Sequence, residues 1–473
     1  MEKKNTWETY SSKQLKELEK INAQYRDFLD NGKTERECID TIVNTIEKSG
    51  YRELESLIKE GAALKTGDKV YSVWMNKSIA MFQIGRKPMT DGMNILGAHI
   101  DSPRLDVKQN PLYEDGGFAY LDTHYYGGVK KYQWVTIPLA IHGVIVKKDG
   151  TCVEINIGEN EDDPVFFVSD LLIHLAQEQL EKKAAKVIEG EALDIIVGNK
   201  PLLIDKKDKK KDEKEAGKEA VKAGVLDILK ETYDIHEEDF VSAELEIVPA
   251  GKAREAGFDR SMTLAYGQDD RVCAYTSMQA MLDSNVTDRT MCCILVDKEE
   301  IGSVGATGMQ SHFFENAVAE VMNLAGEYSE LNVRRCLAHS CMLSSDVSSA
   351  FDPAYASSFD KKNVAYLGGG MVINKFTGAR GKSGSNDANA EYLAHLRHIF
   401  DKAEVNFQTA ELGKVDLGGG GTIAYILALY GMNVIDSGVA VLNMMHAPWE
   451  ATSKADVYEA YRGYKAFVEG ASL

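Results

Sequence analysis

From Gly251 onward the sequence alternates short apolar runs with longer segments whose apolar residues recur every three or four positions. The predicted strands are "TMCCILVD", "RCLAHSCMLSSD", "VNFQTAE" and "NVIDSGVAVLNM". The predicted helices are "RVCAYTSMQAMLDS", "FFENAVAEVMNLAGEY", "SNDANAEYLAHLRHIFDKA", "GTIAYILALYG" and "SKADVYEAYRGYKAFVEG". This alternation predicts an α/β domain in which helices flank a mostly parallel sheet.

The first hundred residues extend the same domain. Residues 5–62 show helical periodicity, and the strands "VYSVWMN", "SIAMFQIG" and "MNILGAHID" follow them. Residues 105–249 differ, because "YQWVTIPLAIHGVIVKKDGTCVEINIG" predicts hairpins with a turn at Asp149-Gly150. The charged run 205–224 predicts a mobile, solvated loop. We therefore predict an α/β domain from 1–104 and 250–473, interrupted by a β-rich insertion at 105–249.

Composition narrows the possible partners and location. A chain of 473 residues is long enough for two domains, and its net charge of −19 argues against nucleic acid or an anionic membrane as the main partner. No apolar run approaches the length that crosses a membrane. The seven cysteines form no CxxC pair, and "MEKKNTWETYSSKQ" contains no apolar signal-peptide core. These features predict a cytoplasmic protein.

Polar residues stand where several apolar runs of the α/β part end, and ligand-binding groups gather at the carboxyl ends of strands in such folds. Each residue alone is typical of a helix cap, a turn or a solvent-exposed position. Together they contain two histidines and several carboxylates, the ligands of a dinuclear zinc or related hydrolytic centre. The candidates are His99 and Asp101 in "AHID", Asp269 and Asp270 in "GQDDR", Glu299 and Glu300 in "KEEIG", Asp346 in "LSSD" and His446 in "NMMHAPWE".

A dinuclear hydrolytic centre explains these residue types. Two cations need a carboxylate that bridges them, and each needs a histidine and a further carboxylate. Proton transfer between water and the leaving amine needs a base that is not itself a ligand. The adjacent pair Glu299 and Glu300 can supply one of each, and Asp101 can hold the second nitrogen of His99.

Two glycine-rich stretches do not change this interpretation. "GSVGATG" lacks the spacing of a dinucleotide fingerprint, and "LGGGGT" at 417–422 fits either an anion site made of amides or a tight turn. The sequence contains no Walker motif and no GxSxG nucleophile elbow.

The motifs, in this order, resemble the aspartyl aminopeptidase family of dinuclear zinc exopeptidases, and the resemblance covers nearly the whole chain. The motifs are "GAHIDSPRLDVK" (97–108), "YYGGVKKYQW" (125–134), "GQDDRVCA" (267–274), "DKEEIGSVGATG" (297–308), "SSDVSSAFDP" (344–353), "GGGMVINK" (368–375), "LGGGGTIA" (417–424) and "MMHAPWE" (444–450).

The resemblance implies a role for each candidate. It makes Glu299 the general base and Asp101 the partner of His99, and it selects Asp269 over Asp270 as the bridging ligand. It implies two divalent ions per subunit, zinc in the first place, with cobalt and manganese also suited to nitrogen and oxygen ligands. The implied metal ligands are His99, Asp269, Glu300, Asp346 and His446.

The resemblance also implies an assembly and a substrate pocket. The insertion would be a dimerisation domain, and dimers would build a tetrahedral homododecamer. His124 is the candidate for a residue supplied by a neighbouring subunit, while Lys375, with Arg380 and Lys382 as alternatives, would bind an acidic N-terminal side chain of a peptide. Because "MHAPWE" lacks an arginine that eukaryotic members carry, both acidic and broader specificity stay open.

The predicted activity is release of N-terminal residues from short peptides by a water activated at the two metal ions. An alternative keeps the dinuclear site and changes the substrate, as in an N-acyl amino acid deacylase. A second alternative is a non-catalytic shell protein stabilised by metal, which would have no use for a base such as Glu299.

Overall fold

The computed structural model describes residues 5–202, 219–379, 381–444 and 447–472. The chain divides into two compact units. The first combines the residues up to Ser102 with most of those from Ala253 onward, and the second is formed mainly by Pro103–Lys252. The predicted insertion, 105–249, lies within this second unit.

The helices and strands of the described part of the chain are numbered in chain order. The α-helices are α1 (Ser12–Asn31), α2 (Glu35–Glu47), α3 (Leu54–Glu60), α4 (Gln177–Leu180), α5 (Ala184–Val187), α6 (Ala220–Tyr233), α7 (Gln268–Leu282), α8 (Phe313–Leu324), α9 (Glu330–Ala338), α10 (Ala390–Lys402), α11 (Ala424–Ala428) and α12 (Lys454–Gly470). The strands are β1 (Arg52–Glu53), β2 (Lys69–Trp74), β3 (Ser78–Gln83), β4 (Met93–His99), β5 (Arg104–Asp115), β6 (Phe118–Tyr126), β7 (Leu139–Val146), β8 (Cys152–Ile157), β9 (Ile195–Gly198), β10 (Ala243–Pro249), β11 (Arg254–Ala256), β12 (Met262–Ala265), β13 (Thr290–Val296), β14 (Cys341–Ser345), β15 (Ser348–Ser349), β16 (Met371–Asn374), β17 (Phe407–Thr409), β18 (Asn433–Gly438), β19 (Ala440–Leu442) and β20 (Glu450–Ser453).

A nine-stranded sheet in the order β1-β2-β3-β13-β4-β14-β18-β16-β17 forms the centre of the first unit. Its middle strands, β13, β4, β14 and β18, pair in parallel. Antiparallel pairs flank them, β3 with β13 on one side and β16 with β18 on the other. The α/β fold with a mostly parallel sheet is therefore confirmed.

Helices cover both faces of this sheet, so the middle strands are apolar on both sides. In β13, Cys293 and Leu295 belong to a core that includes side chains of α1, α7 and α12. Cys292 and Ile294 belong to a second core with α8 and α9. Successive side chains of a strand point to opposite faces, which is why the continuous run "MCCILV" supplies both cores.

The second unit contains a six-stranded sheet in the order β8-β7-β10-β5-β6-β9. Its pairs are antiparallel. The predicted hairpin is present as β7 and β8, with Val146 opposite Cys152 on either side of the turn that contains Asp149-Gly150.

Three predicted elements differ from the structure. Within "RCLAHSCMLSSD", residues 335–338 belong to α9, and only β14 is extended. "NVIDSGVAVLNM" forms two strands, because β18 joins the nine-stranded sheet while β19 joins a five-stranded sheet with β15 and β20. Residues 220–224 of the predicted loop lie in α6, where Val221 is buried, and residues 203–218 lie outside the described residues.

Among the helices of the described ranges, none combines the length and the apolar character that a membrane span requires.

Candidate metal centre

The parallel strands β13, β4 and β14 end at the same edge of the nine-stranded sheet, where their polar residues meet. His99 is the last residue of β4 and pairs with Val296 at the end of β13. Glu299 and Glu300 follow β13 in a single 3-10 turn, and Asp346 directly follows β14. The shared edge brings together residues that are far apart in sequence.

His99 lies at the centre of the cluster. Its Nε2 atom is 3.2 Å from Asp269 Oδ1, 3.8 Å from Asp346 Oδ1 and 4.0 Å from Glu299 Oε2. Two sets of ligand atoms each lie within 4.8 Å of one another: His99, Asp269 and Asp346 form one, and His99, Glu299 and Glu300 the other. Five of the predicted site side chains therefore converge.

The backbone of Asp269 is held from both sides. Its N–H donates to Oε2 of Glu450 at 3.0 Å, and its carbonyl accepts from the hydroxyl of Ser102 at 2.5 Å. Both partners are buried. Asp269 itself is only 4% exposed. Because its N–H and its carbonyl are both held, the direction in which its carboxylate leaves the first turn of α7 is fixed.

Asp101 has two functions in the geometry of the site. Its Oδ1 lies 3.2 Å from Nδ1 of His99, as expected from the sequence. Its carboxylate also accepts the backbone N–H groups of Glu299 and Glu300, each at 3.1 Å. Asp101 therefore orients the imidazole and anchors the turn that carries both glutamates, and only the first role followed from its spacing to His99.

Burial, and then the neighbouring carboxylates, raise the pKa of two acidic groups at the site. Burial, followed by the charge of Asp269, raises the pKa of Asp346 to about 6. Burial also raises the pKa of Glu299 well above its usual value, opposed by His99 and reinforced by Asp346 and Glu300. Like charges held this closely in a buried site are costly unless a cation neutralises them.

The buried atoms at the centre fit a metal ion. Nε2 of His99 and Oδ1 of Asp269 lie 3.2 Å apart and are buried, but neither atom makes a hydrogen bond of good geometry within the described part of the chain. Buried polar atoms of native proteins are nearly always satisfied. An imidazole nitrogen among several carboxylate oxygens is a donor set that zinc accepts.

For the remaining predicted site residues, the structure gives local contacts only where they are described. Lys375 follows β16, is half-exposed, and its ammonium nitrogen is 3.8 Å from Oδ1 of Asp387. His124 is exposed in β6 of the second unit, where its Nδ1 lies 2.8 Å from the carbonyl of Tyr125. Arg380 and His446 lie outside the described residues. The substrate-binding predictions thus stay predictions.

Ser102 and Glu450 have roles at the site that the sequence did not predict. Ser102 stands in "HIDSP" next to the predicted residues, so its position was a usable signal. Glu450 lies 181 positions from Asp269, and only the folded chain brings the two together. The glycine-rich stretch 417–422 is also fixed by a residue that is distant in sequence, since the Thr422 hydroxyl donates to Oδ1 of buried Asp436 at 2.6 Å.

We expect Gly438→Ala to destabilise the protein by about 1–3 kcal/mol, the usual cost of overpacking. A β-carbon at Gly438 would lie 1.7 Å from the carbonyl oxygen of Asp346, so β14 and β18 would have to move apart. Urea unfolding of the metal-free protein measures the effect. Gly421→Ala is the control, because a β-carbon there meets no atom within 4 Å; equal stability of the two variants would contradict the prediction.

The comparisons with known proteins agree with the family that the sequence resembles. The family model described as aminopeptidase I zinc metalloprotease, M18, matches residues 28–468. The probable M18 family aminopeptidase 1 of Clostridium acetobutylicum is 63% identical over 467 residues, which cover 99% of this chain and 98% of that protein.

Solved structures extend the agreement to the fold. The M18 family aminopeptidase of Thermotoga maritima superposes with a TM-score of 0.93 at 44% identity and covers 100% of both chains. The mApe1 dodecamer of S. cerevisiae gives a TM-score of 0.74 at 19% identity over 95% of this chain and 96% of that one, which shows the fold alone. The predicted family resemblance and the prediction of an exopeptidase hydrolase are confirmed: the chain belongs to the M18 family of zinc aminopeptidases.

Proposed function

We propose that the protein releases N-terminal residues from short peptides at a dinuclear zinc centre. The single observation that carries this proposal is the convergence of His99 with four carboxylates at one strand edge, two of its buried ligand atoms having no hydrogen bond among the described residues. The proposed metal ligands are His99, Asp269, Glu300, Asp346 and His446.

His99, Asp269 and Asp346 would hold one part of the centre and Glu300 another. The family pattern assigns the bridging position to Asp269, which lies in the same candidate set as His99 and Asp346. Divalent ions bound there would supply Lewis acidity, which polarises the peptide carbonyl and lowers the pKa of a bound water. Zinc is the proposed metal, and cobalt or manganese would also suit these ligands.

Glu299 is proposed as the general base. Its backbone is anchored by Asp101, and its Oε2 lies at the rim of the cluster, 4.0 Å from Nε2 of His99. From this position its carboxylate takes a proton from the attacking water and returns it to the leaving amine. Asp101 holds Nδ1 of His99, which leaves Nε2 directed at the metal position. The assignment of Glu299 as base and Glu300 as ligand follows the family pattern.

The N-terminal side-chain preference is proposed to be acidic or broader. Lys375 and Arg380 would supply positive charge, and His124 of a neighbouring subunit would complete the pocket. The ion pair between Lys375 and Asp387 favours the broader alternative, because Asp387 already offsets part of the charge that an acidic side chain would need.

An aminoacyl-substrate screen tests the proposal. We expect hydrolysis of peptides with a free N-terminus after zinc, cobalt or manganese is added, and at least tenfold slower hydrolysis of their N-acetylated forms. Faster cleavage of the acetylated forms would support a deacylase instead. No turnover on any substrate with any metal would support the non-catalytic shell. Comparing the hydrolysis rates of peptides that differ only in an acidic or a neutral N-terminal residue would determine the side-chain preference.

We also propose a cytoplasmic homo-oligomer, a tetrahedral dodecamer built from dimers. The second unit exposes large apolar side chains in one segment, with Leu172 55%, Ile173 67% and Leu175 67% exposed, as is typical of a surface covered in an assembly. Light scattering should give the mass of twelve chains of 52.2 kDa each. Charged substitutions at Ile173 and Leu175 should reduce that mass if this segment forms a contact.

A further inference from the structure

Gln268, the first residue of α7, lies at the centre of a buried hydrogen-bond network. Its Oε1 accepts the hydroxyl groups of Tyr25 at 3.0 Å and Thr452 at 2.7 Å. Its Nε2 donates to the carbonyls of Thr263 at 3.2 Å and Glu450 at 2.6 Å. The side chain is completely buried, and both donors of its amide are satisfied.

The network joins four separate elements of the first unit. Tyr25 belongs to α1, Thr263 to β12, and Glu450 and Thr452 to β20. A buried side chain such as that of Gln268, whose amide oxygen and both amide hydrogens are bonded, holds its partners in a single arrangement. Gln268 therefore fixes the first turn of α7 against three other elements at once.

The same network also fixes the backbone of the next residue, Asp269. Glu450, whose carbonyl accepts from Gln268, uses its own Oε2 to accept the N–H of Asp269. The covalent link from Gln268 and the hydrogen bond from Glu450 thus constrain the same peptide group. Ser102 holds the carbonyl of Asp269 on the other side.

We propose that Gln268 is a positioning residue of the metal centre. It acts through Glu450 and the backbone of Asp269, and it sets the direction in which the carboxylate of Asp269 faces the zinc position. The inference rests on the proposed role of Asp269 as a zinc ligand. Residues that orient a metal ligand without touching the metal typically change metal affinity by about 10–100-fold when they are replaced.

The test compares Gln268→Met with Gln279→Met, because both glutamines lie on α7 but Gln279 is partly exposed and bonds only to Asp283 among the contacts described. Methionine keeps the length of the side chain and removes its amide. We expect Gln268→Met to bind zinc at least about tenfold more weakly in a chelator competition and to change the visible spectrum of the cobalt-substituted protein. Gln279→Met should match the unmodified protein in both measurements.

Two results would overturn the inference. The first is a Gln268→Met protein that melts at a lower temperature but keeps its zinc affinity within twofold and its cobalt spectrum unchanged, because such a result would show a purely structural role.

If this variant does not fold, Thr452→Val provides the test, since it removes one hydroxyl donor to Gln268 with little change in shape. We expect weaker zinc binding from Thr452→Val as well, and unchanged affinity would be the second contrary result. Neither measurement requires turnover, so a failed substrate screen would contradict the proposed function without affecting this comparison.

Discussion

Glu299→Gln is expected to lower kcat for peptide hydrolysis by about 10²–10⁴-fold, the usual contribution of a general base. Glutamine preserves the size of the side chain and the anchoring of the backbone N–H by Asp101. It cannot accept the proton of the attacking water. Because Glu299 is proposed not to bind metal, the variant should retain the zinc content of the unmodified protein, as measured by elemental analysis.

Two comparisons make this result specific. Glu55→Gln is the control for a surface glutamate, since Glu55 is exposed and pairs only with Lys59 among the ion pairs described, so activity should not change. Glu300→Gln should lose zinc as well as activity. If Glu299→Gln loses zinc while Glu300→Gln keeps it, the roles of base and ligand are reversed. Full activity of Glu299→Gln would rule out the proposed mechanism.

Asp269→Ala is expected to weaken zinc binding by more than about 100-fold, beyond the effect of replacing a residue that only orients a ligand. The substitution removes the proposed bridging carboxylate, whose Oδ1 lies 3.2 Å from Nε2 of His99. Peptide hydrolysis should fall to background with it. Chelator competition gives the affinity, and elemental analysis gives the number of ions that remain.

The metal-free form of the same variant provides an independent check. Burial and then the charge of Asp269 raise the pKa of Asp346 to about 6, so removal of Asp269 should lower that pKa.

Asp288→Ala is the control for zinc binding, because Asp288 is exposed and pairs with Arg86 and Lys87 at the surface. Zinc affinity of Asp269→Ala within tenfold of the unmodified protein would contradict the proposed ligand set.

The α/β fold of the first unit could be predicted because its signals are local. A strand covered on both faces is apolar at every position, and the apolar residues of an amphipathic helix recur every three or four positions. A few neighbouring residues are therefore enough to predict the strand "TMCCILVD" and the helix "FFENAVAEVMNLAGEY". The error in "RCLAHSCMLSSD" has the same origin. Its apolar residues suit the end of a helix and a strand equally, and only the packing of α9 against the second core separates them.

The types of residue at the candidate metal centre also followed from the sequence. Parallel strands direct their carboxyl ends to one edge, which makes the residues after each strand candidates for one site. His99, Glu299, Glu300 and Asp346 meet there for that reason. The order of base and ligand came from family resemblance, since two adjacent glutamates offer the same chemistry.

Sequence alone therefore determined the fold class, the family and the ligand types, because periodicity, strand ends and motifs are encoded in neighbouring residues. Only the tertiary structure decided how the candidate ligands are held. Asp101 anchors a turn 198 positions away, Ser102 holds a carbonyl 167 positions away, and Gln268 bonds to a carbonyl 182 positions away. A hydrogen bond requires two atoms within about 3 Å in a defined direction. That condition depends on sheet register and helix packing, which no local pattern specifies.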